Sequence, residues 1–213
     1  MPAIFDRVLT VNLIANTAIF YVAARLYLLP LVPRVRPQQI LVPILLLHST
    51  RHLGLMFLTR GATFPGMPPQ FAYPAAFGDL VTAILAFAAI PFVLRSSCLA
   101  KPAVWIFNIF GTLDLLAAIT FATIYNAPVT MGPAYWIPAF WVPLLLVTHY
   151  VTFVLLGRRW QLWVASTAQH LIRETPRSLI QIALEVGYTS PSHFAQVFRR
   201  MVGVTPTEFR SAL

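Results

Sequence analysis

Five stretches of the chain are apolar on every side over the length, about 20 residues, that a helix needs to cross a bilayer. They run at about Val8–Leu29, Ile40–Leu58, Phe77–Leu94, Ala103–Tyr125 and Ile137–Leu156. Proline-bearing connections separate them, from Pro30 to Pro37, Pro65 to Pro74, at Pro102, and from Pro128 to Pro138. After Arg159 the pattern changes to short amphipathic helices. Leu179, Ile180, Ile182, Ala183 and Val186 mark one that starts after Ser178 and ends at Gly187, a left-handed C-cap. Ser190 then caps a second helix with Pro191 at its first position. That helix buries Phe194, Val197 and Phe198 and exposes Ser192, His193, Gln196, Arg199 and Arg200. Gly203 ends it, and Thr205-Pro206-Thr207-Glu208 is a capping box opening a third. The predicted fold class is all-α. A five-span transmembrane helical bundle (1–158) precedes a small helix-turn-helix module (159–213).

Composition supports the division. Of 213 residues, 58% are hydrophobic and 10% charged, with mean hydropathy +0.74. A soluble domain carries about 25% charged residues, so an ordinary cytosolic enzyme is excluded, and so is a disordered chain. All three Glu fall after residue 170 and all three Asp before 115, while residues 158–213 hold seven of the fifteen basic residues. The single Cys98 excludes an internal disulfide and a multi-cysteine metal site. The first apolar run is too long for a signal peptide and is preceded by both Asp6 and Arg7.

Basic residues set the expected orientation. Arg34 and Arg36 lie between spans one and two, Arg95 and Lys101 between three and four, and Arg158 and Arg159 after five. The second-to-third loop has only Arg60, and residues 126–136 carry no charge. The basic loops alternate, so all can face the cytoplasm of a bacterial inner membrane, with the N-terminus outside and the C-terminal tail inside.

Ionisable groups inside spans are costly and point to function. These are His48, Arg51 and His52 in span two, Asp114 in span four and His149 in span five. A continuous helix would put His48 and His52, four residues apart, on one face. Counting about 1.5 Å per residue from the cytoplasmic edge brings the histidines and an Arg51–Asp114 pair to similar depths. Two readings stay open: a metal or haem site on His48, His52 and His149, or polar groups bonded across helices with no cofactor. Arg25 sits where it can snorkel, and Asp79 and Asn108 fall near span ends, within reach of water.

The stretches HSTRHLGL (48–55), FGDL (77–80) and WIFNIFGTLDLL (105–116) resemble an uncharacterised group of small bacterial integral membrane proteins, a resemblance that implies no activity. IALEVGYTSPSHFAQVFRRMVGVTPTEFR (182–210) resembles the C-terminal helix-turn-helix of AraC/XylS-type transcription regulators. That resemblance places Ser192, His193 and Gln196 against bases and Arg199, Arg200 and the Ser190 cap near phosphates. It implies DNA as a partner; with one helix-turn-helix per chain, binding is expected only when two copies are held together, as in a homodimer. Those regulators carry two helix-turn-helix units joined by a long helix; this chain has the second and the end of the linker, Ala168–Arg173. Half a reader should bind weakly and with steep salt dependence. No nucleophile–base pair, glycine-rich phosphate loop or paired-carboxylate site occurs, so no enzymatic activity is expected. The leading expectation is a membrane-tethered regulator. Its alternative is a membrane protein that handles haem, metal, ion or small molecule in its spans, with a vestigial tail.

Overall fold

The structure is a computed structural model describing residues 2–32, 35–95, 97, 99–188 and 190–213, with the side chains of 2–7 and 158–163 left out. Arg34 and Cys98, and the side chains of Asp6, Arg7, Arg158 and Arg159, lie outside the described residues. The chain is all-α, 82% helical, with no strand among the described residues.

Helices α1 (Pro2–Ala23), α2 (Pro37–Ser49), α3 (Pro69–Leu94), α4 (Ala100–Ile124) and α5 (Val142–Val154) form the bundle. Among the described residues, five helical stretches are long and apolar enough to cross a membrane: Val8–Leu28, Pro37–Leu58, Pro69–Leu94, Ala100–Ile124 and Gly132–Gly157. Helix α3 starts eight residues before the stretch expected from Phe77. Pro69 takes the first helical position, and Pro74 lies just past the first turn, where its missing N–H affects a single bond. Span two is not one α-helix. Ser49 Oγ and Thr50 Oγ1 donate to the carbonyls of Leu45 and Leu47 at 2.8 and 2.6 Å, competing with the ladder, and Thr50–Leu58 continues as a 3-10 helix.

The helix of the fifth span runs on past Arg159. A π-helical turn (Leu155–Arg159) joins α5 directly to α6 (Trp160–Glu174), so the expected change of pattern falls within continuous helix. Helices α7 (Leu179–Glu185), α8 (Pro191–Val202) and α9 (Pro206–Ser211) follow. Their caps act as the sequence predicts. Ser178, Ser190 and Thr205 accept from the amides of Gln181, His193 and Glu208, and Gly187 and Gly203 sit at φ 91° and 92°.

Two apolar cores form among the described residues. One holds Phe57, Phe71, Ala75, Leu115 and Met131; the other holds Leu41, Ala86, Val104, Phe107 and Val151. The second continues through Leu155, Val164, Ala168 and Ile172 into Ile182, Phe194 and Phe198, uniting the bundle with the C-terminal module. At the opposite end two loops are tied by Phe64 N donating to Thr130 O at 2.8 Å and Ala134 N to Ala62 O at 2.9 Å.

Candidate functional site

Between the two cores lies a buried polar layer. On α3 it falls between Ala75 and Ala86, on α4 between Phe107 and Leu115, and on α5 around Thr148 and His149. Its centre is Arg51, whose side chain is 0% exposed. Nε donates to Asp79 Oδ1 at 2.6 Å and Nη2 to Asp114 Oδ2 at 2.6 Å. Nη1 donates to the Gly111 carbonyl at 3.1 Å and lies 3.4 Å from His149 Nε2.

Hydrogen bonding orients both imidazoles. Asn108 Nδ2 donates to the His149 carbonyl at 3.3 Å, so its Oδ1 accepts, at 2.7 Å, from His149 Nδ1–H. His149 Nε2 is then left as an acceptor facing Arg51. Thr148 gives its hydroxyl proton to the backbone of α5, so at 2.9 Å it accepts from His48 Nε2–H. His48 Nδ1 is buried with no hydrogen-bond partner, which leaves an unused lone pair inside the bundle. The two rings lie 4.2 Å apart between centroids, with Phe107 packed on both.

Three glycines let the helices close on this layer. A Cβ at Gly78 would overlap Asp114 Oδ1, and one at Gly54 would overlap Asp79 Oδ2. One at Gly111 would come within 2.7 Å of His149 Cε1. Small residues at helix contacts serve this close approach in membrane bundles.

The structure thus brings together His48, Arg51, Asp114 and His149. His52 is not among them. It is exposed, and its Nδ1 lies 3.0 Å from the Ser49 carbonyl. The physical reason is the switch to a 3-10 helix: three residues per turn instead of 3.6 rotate His52 away from the His48 face. A ligand set of His48, His52 and His149 is therefore not assembled. Among the described residues, no group of three or more His, Cys, Asp or Glu side chains is placed to hold a metal. The apolar pattern of the sequence puts Asp79 and Asn108 near span ends. Because α3 starts at Pro69 and α4 at Ala100, both lie well inside. The signal was present, since FGDL and WIFNIFGTLDLL carry Gly78, Asp79, Asn108 and Gly111 beside Asp114.

The second candidate surface is on α8. Phe194, Val197 and Phe198 are buried, while Ser190, Ser192, His193, Gln196, Arg199 and Arg200 are exposed. Tyr188 packs on the rings of His193 and Phe194 at 5.3 and 5.7 Å, and burial pushes its phenol above the ordinary value. Helix α6 braces the module, with Arg173 over the Phe209 ring at 5.1 Å. Arg177 pairs with Glu185, and Arg210 Nη2 donates to the Arg177 carbonyl at 2.7 Å.

A helical bundle with a buried polar layer, followed by a three-helix module braced on α6, is the class that this geometry defines. The chain belongs to the family of the domain of unknown function DUF8737, whose model matches residues 8–157. A second model, described as a helix-turn-helix domain, matches residues 158–212, and the module is of AraC type. Over that region the chain is similar to three curated proteins. An uncharacterized HTH-type transcriptional regulator of Haemophilus influenzae is 36% identical over 47 residues, 22% of this chain and 16% of that protein. The HTH-type transcriptional regulator MtrA of Neisseria gonorrhoeae is 40% identical over 40 residues, 19% of this chain and 13% of that protein. The HTH-type transcriptional regulator ArgR of Pseudomonas aeruginosa is 41% identical over 44 residues, 21% of this chain and 13% of that protein. The chain spans only 13% to 16% of the length of these relatives. No solved structure matches.

Proposed function

We propose that the chain is a membrane-tethered transcription regulator, with residues 1–158 in the bacterial inner membrane and residues 159–213 reading DNA from the cytoplasm. The observation that carries this reading is the two-faced α8. Its apolar face is locked on Ile182 and α6, which frees a polar and basic face of the kind that enters a major groove. The names of the three relatives add support, since each is a transcriptional regulator. Large apolar side chains turned outward along the spans, among them Val11, Ile14, Phe87 and Leu113, support the lipid bilayer as surroundings.

In this reading Ser192, His193 and Gln196 face bases, and Ser190, Arg199 and Arg200 lie near phosphates. Gln196 offers a donor and an acceptor, which suits a bidentate contact with adenine. One helix-turn-helix makes few contacts, so binding relies on two copies held together by the membrane part, as a homodimer. No enzymatic activity is assigned.

The test uses the full chain in nanodiscs against a randomised duplex pool over a salt series. A specific sequence should be enriched. Gln196→Ala should relax preference at one base position, at a cost of about 1–3 kcal/mol there. Arg200→Ala should weaken all sequences alike and lower the salt slope by about one. No enriched sequence, with both variants behaving identically, would leave only charge attraction and reject the reading.

A further inference from the structure

The polar layer is not balanced in charge. One guanidinium, Arg51, faces two carboxylates, Asp79 and Asp114, and His149, with Nδ1 on Asn108 Oδ1 and Nε2 turned toward the guanidinium, adds no charge beside it. If both carboxylates are ionised, one negative charge is left over inside an apolar bundle. An uncompensated charge in such a place is costly, and a proton or another cation must offset it.

A cavity of about 450 Å³ reaches this layer, within the 300–1,000 Å³ usual for small-molecule sites. Leu13, Phe71, Leu115, Ile119 and Met131 line it, and Asp79 is the charged side chain on its wall. It extends along α4 from Leu115 to Thr123, about 12 Å at 1.5 Å per residue, and on to Asn126. Asp114, the other carboxylate of the pair, is not on the lining.

We propose that this cavity binds a lipophilic amine, with the ammonium on the Asp79 carboxylate and the hydrocarbon along the face of α4. The charge left over by Arg51 selects a cation, and the apolar lining selects a hydrocarbon body. An inorganic cation fits poorly, because it needs a cage of several oxygen ligands, while Asp79 is the one carboxylate of a mainly apolar lining whose other polar side chains are Thr10, Thr123 and Asn126. The proposal concerns the bundle alone and is tested without DNA, so its failure is distinct from failure of the regulator reading.

The experiment compares decylamine, decan-1-ol and decanoate on the full chain in phosphatidylcholine nanodiscs, by native mass spectrometry and melting temperature. These probes share one chain and differ in the head group, and the amine carries an ammonium at neutral pH as lysine does. Decylamine should bind one per chain and raise the melting temperature, with decan-1-ol at least tenfold weaker and decanoate not bound. Asp79→Asn should abolish the preference for amine over alcohol. Ala118→Phe, which fills the cavity away from the ion pair, should lose decylamine while keeping the unliganded melting temperature. Equal binding of amine and alcohol by the unaltered protein would mean that a proton balances the layer, and would overturn the proposal without any variant. Undiminished binding by Ala118→Phe, or a phospholipid that decylamine does not displace, would overturn it as well.

Discussion

Arg51 joins four helical segments through one guanidinium. It lies on the 3-10 helix after α2 and reaches Asp79 on α3, Asp114 and the Gly111 carbonyl on α4, and His149 on α5. Removing it leaves two carboxylates facing each other, whereas removing one carboxylate leaves the guanidinium paired with the other. Arg51→Gln should therefore destabilise most, by about 3–5 kcal/mol, and Asp114→Asn by only about 1–3 kcal/mol. The double variant should depart from additivity by about 0.5–3 kcal/mol, measured by denaturant unfolding in detergent; simple additivity would mean that the pair is not energetically coupled. Gly78→Ala tests the same layer sterically, since its methyl would meet the Asp114 carboxylate. It should cost about 1–3 kcal/mol by overpacking, and a variant as stable as the parent would show that α3 and α4 can separate freely. Arg51 and Asp114 stand out in the sequence because ionisable groups in apolar runs are rare. Asp79 was hidden because its helix begins within a proline-rich segment that reads as a loop.

At the scale of elements, caps were the most legible feature and changes of helix type the least. Ser178, Ser190, Thr205, Gly187 and Gly203 each act through local chemistry, and local chemistry is what a sequence displays. The passage from α2 to a 3-10 helix depends on Ser49 and Thr50 binding carbonyls and on Arg51 finding partners on other helices, contacts at long sequence separation. That passage turned His52 out of the layer. The continuous helix from α5 to α6 escaped for a similar reason, because α6 is held by packing on the module rather than by an apolar run of its own. The α9 capping box makes a prediction about pH. Hydrogen bonds from Thr205 hold the Glu208 carboxyl below its ordinary value. A group lowered on folding stabilises above its unfolded pKa, and that contribution is lost as pH falls through the lowered one. Carboxyl NMR of Glu208 should show titration below the normal glutamate range, and Thr205→Pro, which removes the backbone N–H that donates to the carboxylate, should return it toward that range. An ordinary glutamate midpoint in the unaltered protein would mean that the cap bond does not form in solution.

On the scale of the whole molecule, the arrangement of charge relates the bundle to the module. Arg36 and Arg95 line a polar cleft of about 510 Å³ together with Thr167, His170 and Glu185, so the basic loops and the module share one end. The paired loops carrying Phe64 and Thr130 lie at the other end, where Arg60 is the only basic residue of residues 59–68 and 126–136. Basic loops are retained on the cytoplasmic side of bacterial spans. The module should therefore face the cytoplasm, as access to DNA requires. A fluorescent protein fused after Leu213 should mature and fluoresce, and alkaline phosphatase at the same point should be inactive. Fused within 59–68, the two reporters should give the reverse pattern. An active phosphatase after Leu213 would place the recognition helix on the wrong side of the membrane and end the regulator reading, while leaving the amine site to be judged by its own binding series.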